Sequence, residues 1–255
     1  MKHVPFSLRR HEMRYNASSS SAKQKMSQPS SQPSEAQLQR RKELRSNYAK
    51  MMFGDDTRGR LLRATAVGVA RHGTRACTVQ HILDEAQLSR RTFYKTFTSL
   101  EDALNALYEV AVRVLKHTMS SAISRARTPL GKVIAALDTY LEMQILGGPL
   151  ITALQREAMH DGSPLAVHRH ELVNGFVELI RNELFPIATL AVDDNIALSI
   201  VSAAEGLVGW TDRQGPFLDE DRLRIRHTLV LLLTRTFGFP LAVQEAVERD
   251  EDDAR

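Results

Sequence analysis

Thr78 to Phe97 reads TVQHILDEAQLSRRTFYKTF, and its second half gathers side chains suited to a polyanion. Arg90, Arg91 and Lys95 are cationic, and Thr92, Tyr94 and Thr96 carry hydroxyls. A guanidinium can bond a guanine edge through two donors, while Lys, Thr and Tyr suit phosphate oxygens or a thymine methyl. Phe93 and Phe97 stand at i and i+4 in the same stretch, which puts both rings on one helix face and assigns them to a core. A solvated charged face has the same composition. What favours nucleic acid is the position of these cations on the second of two short helices joined by a tight turn, the helix-turn-helix pattern.

The elements that would position them are legible around the stretch. Leu62, Ala66, Val69 and Ala70 form one apolar stripe of a first helix, capped by Asp56 or Thr57 and ended near Gly73. Thr78 caps a second helix carrying Val79, Ile82, Leu83 and Ala86, and Ser89 caps a third. Ile82, Ala86, Leu88 and Phe93 would fix the angle between these two and leave the outward face free for a major groove about 12 Å wide. Ser99, with Asp102 three residues on, opens a fourth helix running to about Met119 along Leu104, Leu107, Ala111 and Leu115.

The signature Gly73, Cys77-Thr78-Val79, Ile82, Ala86, Leu88-Ser89, Thr92-Phe93-Tyr94, Phe97 and Ser99-Leu100-Glu101-Asp102-Ala103-Leu104 resembles the TetR family of bacterial regulators. The resemblance implies an all-α homodimer. Its N-terminal three-helix helix-turn-helix domain binds double-stranded operator DNA, and a C-terminal helical domain holds a ligand pocket and the dimer interface; the effector is expected to be small and largely apolar. It also implies backbone-contacting roles for Thr78 and Gln80, and a recognition helix carrying Arg90, Arg91, Thr92, Tyr94, Lys95 and Thr96. Two positions depart from the family pattern. Gln87 stands where the turn usually has Gly, and Leu100 stands where the fourth helix often opens with Lys, so one phosphate contact is in doubt.

Downstream the pattern stays helical. Thr128-Pro129 and Ser163-Pro164 read as N-cap and N1-proline pairs, and Gly147, Gly148 and Pro149 interrupt a run. Asp193 and Asp194 open a helix with Ile196, Ile200, Ala203, Ala204, Leu207 and Val208 on one side. The last helix spans about Asp219–Phe237, and its Leu229–Leu233 segment is apolar all round, which predicts burial on more than one side and pairing of the last two long helices with a second copy. The fourth helix is expected to be the only long rigid element shared by head and body. Tyr140, Met143, Gln144, Arg156, Met159, Phe176 and Trp210 are the candidates for an effector pocket, which needs apolar walls and a few placed polar groups; ordinary core packing is the competing reading for each.

Other chemistry finds little support. His168 and His170 are two apart and diverge on a helix, so with His160 and Asp161 they read as surface residues and no metal is expected. Cys77 is the single cysteine, a small helix-entry residue that excludes an internal disulfide and fits a reducing cytoplasm. There is no nucleophile elbow, phosphate loop or pair of metal ligands on one helix, so neither an enzyme nor a cofactor is expected. The competing class is an all-helical interaction module without DNA binding.

The 255 residues are 43% hydrophobic and 25% charged, ordinary for a globular chain, and the net charge of +4 hides an asymmetry. The front carries clustered cations, including Arg40, Arg41, Lys42, Arg45 and Lys50; the end carries Glu245, Glu248, Asp250, Glu251, Asp252 and Asp253. That suggests a polyanion partner for the front alone. No run approaches a membrane span, and MKHVPFSLRRHEMRYN has no apolar core of a secretory signal. The expected division is a basic extension (1–54), disordered or partly helical, a helix-turn-helix domain (55–104), an effector-binding and dimerisation domain (105–240) and an acidic tail (241–255). The extension reads as a minor-groove arm, a plain tail, or sequence upstream of the true start.

Overall fold

The computed structural model describes Gln39 and residues 52–160, 162–215 and 217–239. Most of the basic extension, Asp161 and the acidic tail lie outside the described residues, as do the readings made for them. Within the described residues every regular element is helical: α1 (Thr57–Ala76), α2 (Val79–Ala86), α3 (Arg90–Thr96), α4 (Leu100–Arg125), α5 (Pro129–Gly147), α6 (Pro149–Ala158), α7 (Ala166–Leu184), a short 3-10 turn (Phe185–Ile187), α8 (Asp194–Gln214) and α9 (Asp219–Thr236).

The boundaries follow from capping chemistry. Asp56 accepts from the Gly59 N–H at 2.7 Å, Thr128 from Gly131 at 3.0 Å and Asp193 from Ile196 at 3.1 Å, each satisfying a donor that the first helical turn leaves open. Gly73 takes φ +74°, a backbone setting that a side chain would strain, and α1 kinks there before its last residues. Gly148, at φ 49°, ends α5, and Pro149 starts α6 where its missing N–H costs nothing.

Several expectations need correction. Ser163-Pro164 does not start a helix. The Ser163 hydroxyl accepts from Leu165 N–H at 3.2 Å in a turn, Leu165 is buried, and α7 begins at Ala166 without a side-chain cap. The fourth helix reaches Arg125 rather than about Met119, because no breaker intervenes. On α8 the buried stripe is Ala197, Val201, Ala204 and Val208, at i, i+4, i+7 and i+11, while Ile196, Ile200, Ala203 and Leu207 flank it half-buried. On α9, Leu229, Val230 and Leu233 are buried, Leu231 is half-buried and Leu232 is 41% exposed.

Two cores result. The head core packs Leu61, Leu62, Val69, Ile82, Phe93, Phe97 and Leu107 together with Leu154, Ala158 and Leu165. The body core centres on Leu115, Leu141, Leu184, Ala197, Leu229 and Leu233. The long α4 contributes to both, as expected, but it does not do so alone. The short α6 packs against α1, and the Thr74 hydroxyl donates to the Glu157 carboxylate across that contact at 3.0 Å. The cause is local: the Gly147-Gly148-Pro149 break turns the chain back, so the apolar residues of α6 face the head.

Candidate nucleic-acid interface

The α2–turn–α3 unit is built by reciprocal caps. The Thr78 hydroxyl accepts from the His81 N–H at 3.3 Å, and His81 Nδ1 accepts from the Thr78 N–H at 3.3 Å, so two donors of the first turn are satisfied at once. The turn then needs a left-handed residue. Gln87 supplies it at φ 51°, ψ 48°, the only non-glycine with positive φ among the described residues. Ser89 accepts from Thr92 N–H at 3.1 Å and starts α3.

The angle between the two helices is fixed from beneath. Phe93 and Phe97 are 0% and 1% exposed, with ring centroids 5.8 Å apart, and they share the head core with Ile82 and Ala86. From α1, Arg60 donates to the Ala86 carbonyl at 2.9 Å, where the last turn of α2 leaves acceptors open, and the Arg58 guanidinium sits 4.9 Å above the Phe97 ring. A would-be side chain at Gly68 would meet the Cys77 sulfur at 2.9 Å, so glycine lets α1 pass close to the entry of α2. Burial pushes the Cys77 thiol above its ordinary range, with a hydrogen bond at Thr78 opposing, and makes it a packing residue.

With the aromatic face turned inward, the other face of α3 is free. Arg90, Arg91 and Lys95 are exposed, and Tyr94 is 49% exposed while its ring packs edge-on against Phe93 at 5.3 Å. Arg91 and Lys95 form no ion pair with an acid among the described residues. Thr92 and Thr96 are half-buried, and their hydroxyls are engaged locally, Thr92 with Ser89 at 2.8 Å and Thr96 with the Thr92 carbonyl at 3.1 Å. Thr78 and Gln80 are exposed beside this face. Gln80 donates to Asp84 at 2.7 Å and accepts from Arg90 at 3.2 Å, so it holds the Arg90 guanidinium at the α2–α3 edge. Leu100 is half-buried against the head core, where an aliphatic chain packs and a cation would not.

Sequence reasoning missed the residues that lock this unit. Arg58 and Arg60 lie outside the helix-turn-helix stretch and carry no spacing signal. His81 as the back-reaching cap and its stacking on His72, at 4.1 Å between centroids, were concealed because His is not the usual residue at that capping position.

The effector candidates are scattered. Tyr140 and Phe176 meet at 5.9 Å, edge to face, in the wall of a narrow apolar cavity in the body. Met143 lines a different hollow between head and body, shared with Arg60 and Leu150. Gln144 is buried. Arg156 is exposed and donates to Asp212 at 3.0 Å. Met159 and Trp210 are 52% and 62% exposed, and Arg213 lies 5.6 Å over the Trp210 ring. His160, His168 and His170 do not converge, and no cluster of three metal-ligating side chains occurs among the described residues. No described helix is long and apolar enough to cross a membrane.

No family model matches the chain, and no curated protein matches it. Solved structures do. A TetR-family transcriptional regulator from Rhodococcus sp. superposes with a TM-score of 0.59 at 16% identity, covering 70% of this chain and 100% of that one. One from Streptomyces coelicolor gives 0.58 at 17% identity, covering 76% and 94%. The regulator FadR from Bacillus subtilis, in complex with stearoyl-CoA, gives 0.56 at 17% identity, covering 68% and 96%. At these identities the likeness establishes the fold: an all-helical chain, with an N-terminal helical head and a C-terminal helical body, built like the solved TetR-type transcriptional regulators.

Proposed function

We propose that the chain is a sequence-specific DNA-binding transcriptional regulator, a homodimeric repressor released from its operator by a small, largely apolar effector. The observation that carries this reading is the two-sided α3. Phe93 and Phe97 anchor one side completely, and Arg90, Arg91, Tyr94 and Lys95 stand on the other, on a helix narrow enough for a major groove. An interaction module without DNA binding leaves those unneutralised cations unexplained.

The exposed small and apolar residues of the last two helices support the dimer. On α8, Ser199, Ser202, Gly206 and Trp210 share one exposed face, and on α9 Leu223 and Leu232 are 38% and 41% exposed. Such a face is suited to a second copy, and a two-fold axis would present two heads to half-sites about 34–36 Å apart or a multiple. An effector in the body would act through α4 and α6, and only so far as it favours one head spacing over the other. The aliphatic and aromatic lining of the body cavity supports an apolar effector.

A genome-wide pull-down of bound DNA tests the proposal and yields the operator. The expected result is a small set of sites sharing a two-fold motif. Uniform recovery of genomic DNA, or none, would contradict it.

A further inference from the structure

Arg90 is the first residue of α3, and the N-terminal residues of a helix laid in a major groove are the ones that meet base edges. A free exposed arginine samples many rotamers, and ordering it on binding costs free energy. Arg90 is exposed but already held: its Nη2 donates to Gln80 Oε1 at 3.2 Å, across the angle between α2 and α3. Arg91, its neighbour, makes no side-chain hydrogen bond or ion pair among the described residues.

An amide can turn end for end, and a turned Gln80 would set N–H against the N–H of the guanidinium, which has no acceptor to offer. One turn further along α2, Asp84 prevents this. Its carboxylate only accepts, and it takes the Gln80 Nε2–H at 2.7 Å, which leaves the amide oxygen on the Arg90 side. No ion pair joins Asp84 to Arg90 directly. The amide between them is polarised by the carboxylate and so accepts more strongly, while the guanidinium keeps its charge and its remaining donors for a guanine edge.

We propose that Asp84 is a positioning residue: acting through Gln80, it presets the Arg90 guanidinium for one guanine in each half-site and so sets specificity at a base pair it does not touch. The inference rests on the reading of α3 as the base-reading helix. It gives the carboxylate an unusual signature. Asp84 is exposed on α2, and an acid near the groove repels phosphates. Its removal should therefore spare or strengthen binding to DNA at large while weakening the preference at a single position. A residue that only supported the fold would lower affinity for all sequences alike.

The test combines two measurements on the full-length protein. Without DNA, nitrogen relaxation of the Arg90 Nε–H reports how far the side chain is ordered. Order is expected in the wild type and in Asp84→Asn, whose side-chain oxygen can still accept, and is expected to be lost in Asp84→Ala and Gln80→Ala. Selection from a random pool of double-stranded DNA then reads the motif. Asp84→Ala should lower the guanine preference about three- to tenfold, the scale of one hydrogen bond, at the same base pair that Arg90→Ala blurs, and Asp84→Asn should restore most of it. An Arg90 side chain as mobile in the wild type as in Asp84→Ala, a motif unmoved by that variant, or an even loss across all sequences would overturn the proposal. An ordered Arg90 in a wild type that enriches no motif would contradict the DNA-reading function itself, and the specificity role would fall with it.

Discussion

Head and body both bury apolar helix faces, yet they treat their polar groups differently. In the head, helices are capped at Asp56, Thr78, Ser89 and Ser99, each bonded three residues on as at Thr128 and Asp193 in the body, and the inter-helix ion pair Arg71–Glu85 joins only the neighbouring α1 and α2. In the body, charged side chains reach between helices: Arg226 to Asp138 at 2.6 Å from α9 to α5, Lys132 to Glu183 at 2.8 Å from α5 to α7, and Arg169 to Glu205 from α7 to α8. The body also keeps a cavity and an unpaired tyrosine hydroxyl. The head is thus tied by bonds between near neighbours in the chain, and the body is organised by long-range pairs around incomplete packing, a contrast in keeping with the proposed groove-reading head and ligand-accommodating body.

The contrast can be broken most forcefully in the head. Phe93→Ala removes a fully buried ring from a small core and should cost about 3–5 kcal/mol, read by chemical denaturation, with DNA binding lost. A cost below about 1 kcal/mol would mean that α3 is not anchored as described.

A pH titration probes the body next. Tyr108 on α4 is pushed up to about 12 by burial, with Glu205 adding and Arg169 opposing. Its folded-state value is raised, so its contribution is complete below about pH 10, the unfolded value, and is lost as pH rises from there towards 12. The loss is on the order of 2–3 kcal/mol. Tyr140 acts in the same direction. Tyrosinate absorbance should show late-titrating tyrosines together with alkaline loss of stability; normal titration of all tyrosines would mean that the body is open to water.

Leu232→Glu addresses assembly. If this 41% exposed leucine is covered by a second copy, the charge should weaken association by at least the burial of one leucine, about 1.5–3 kcal/mol, and sedimentation should show monomers. An unchanged oligomer would place the interface elsewhere.

The smallest effect is a gain. Gln87→Gly relieves the left-handed turn residue and should stabilise the head by about 0.5–1 kcal/mol, read as a raised melting temperature. A decrease would show that the Gln87 side chain contributes more than its backbone strain costs.

These positions also show what the sequence made legible. Gln87 was flagged by the resemblance, whose turn usually has Gly there, whereas Thr78, Ser89 and the Phe93/Phe97 pair were readable from the residues because capping and i, i+4 pairing are local. The return of α6 onto the head was not, because it depends on how a Gly-Gly-Pro break aims the next helix. The ion pairs joining Asp138 to Arg226 and Glu205 to Arg169 join distant segments and leave no periodic trace. Effector candidates chosen by residue type mixed cavity-lining Tyr140 and Phe176 with exposed Met159 and Trp210, since apolar pattern does not say which face of a long helix looks inward.

The central claim is that the exposed face of α3 reads a specific duplex, and selection from a random pool of double-stranded DNA tests it most directly. The wild type should enrich a two-fold motif, with log K falling by about 0.9 per neutralised phosphate as log salt rises. Arg90→Ala or Arg91→Ala should cost about 1–3 kcal/mol and blur the motif at one position in each half-site, while Lys95→Ala should weaken all sequences evenly. Failure to enrich any motif, or an affinity independent of salt, would contradict the account.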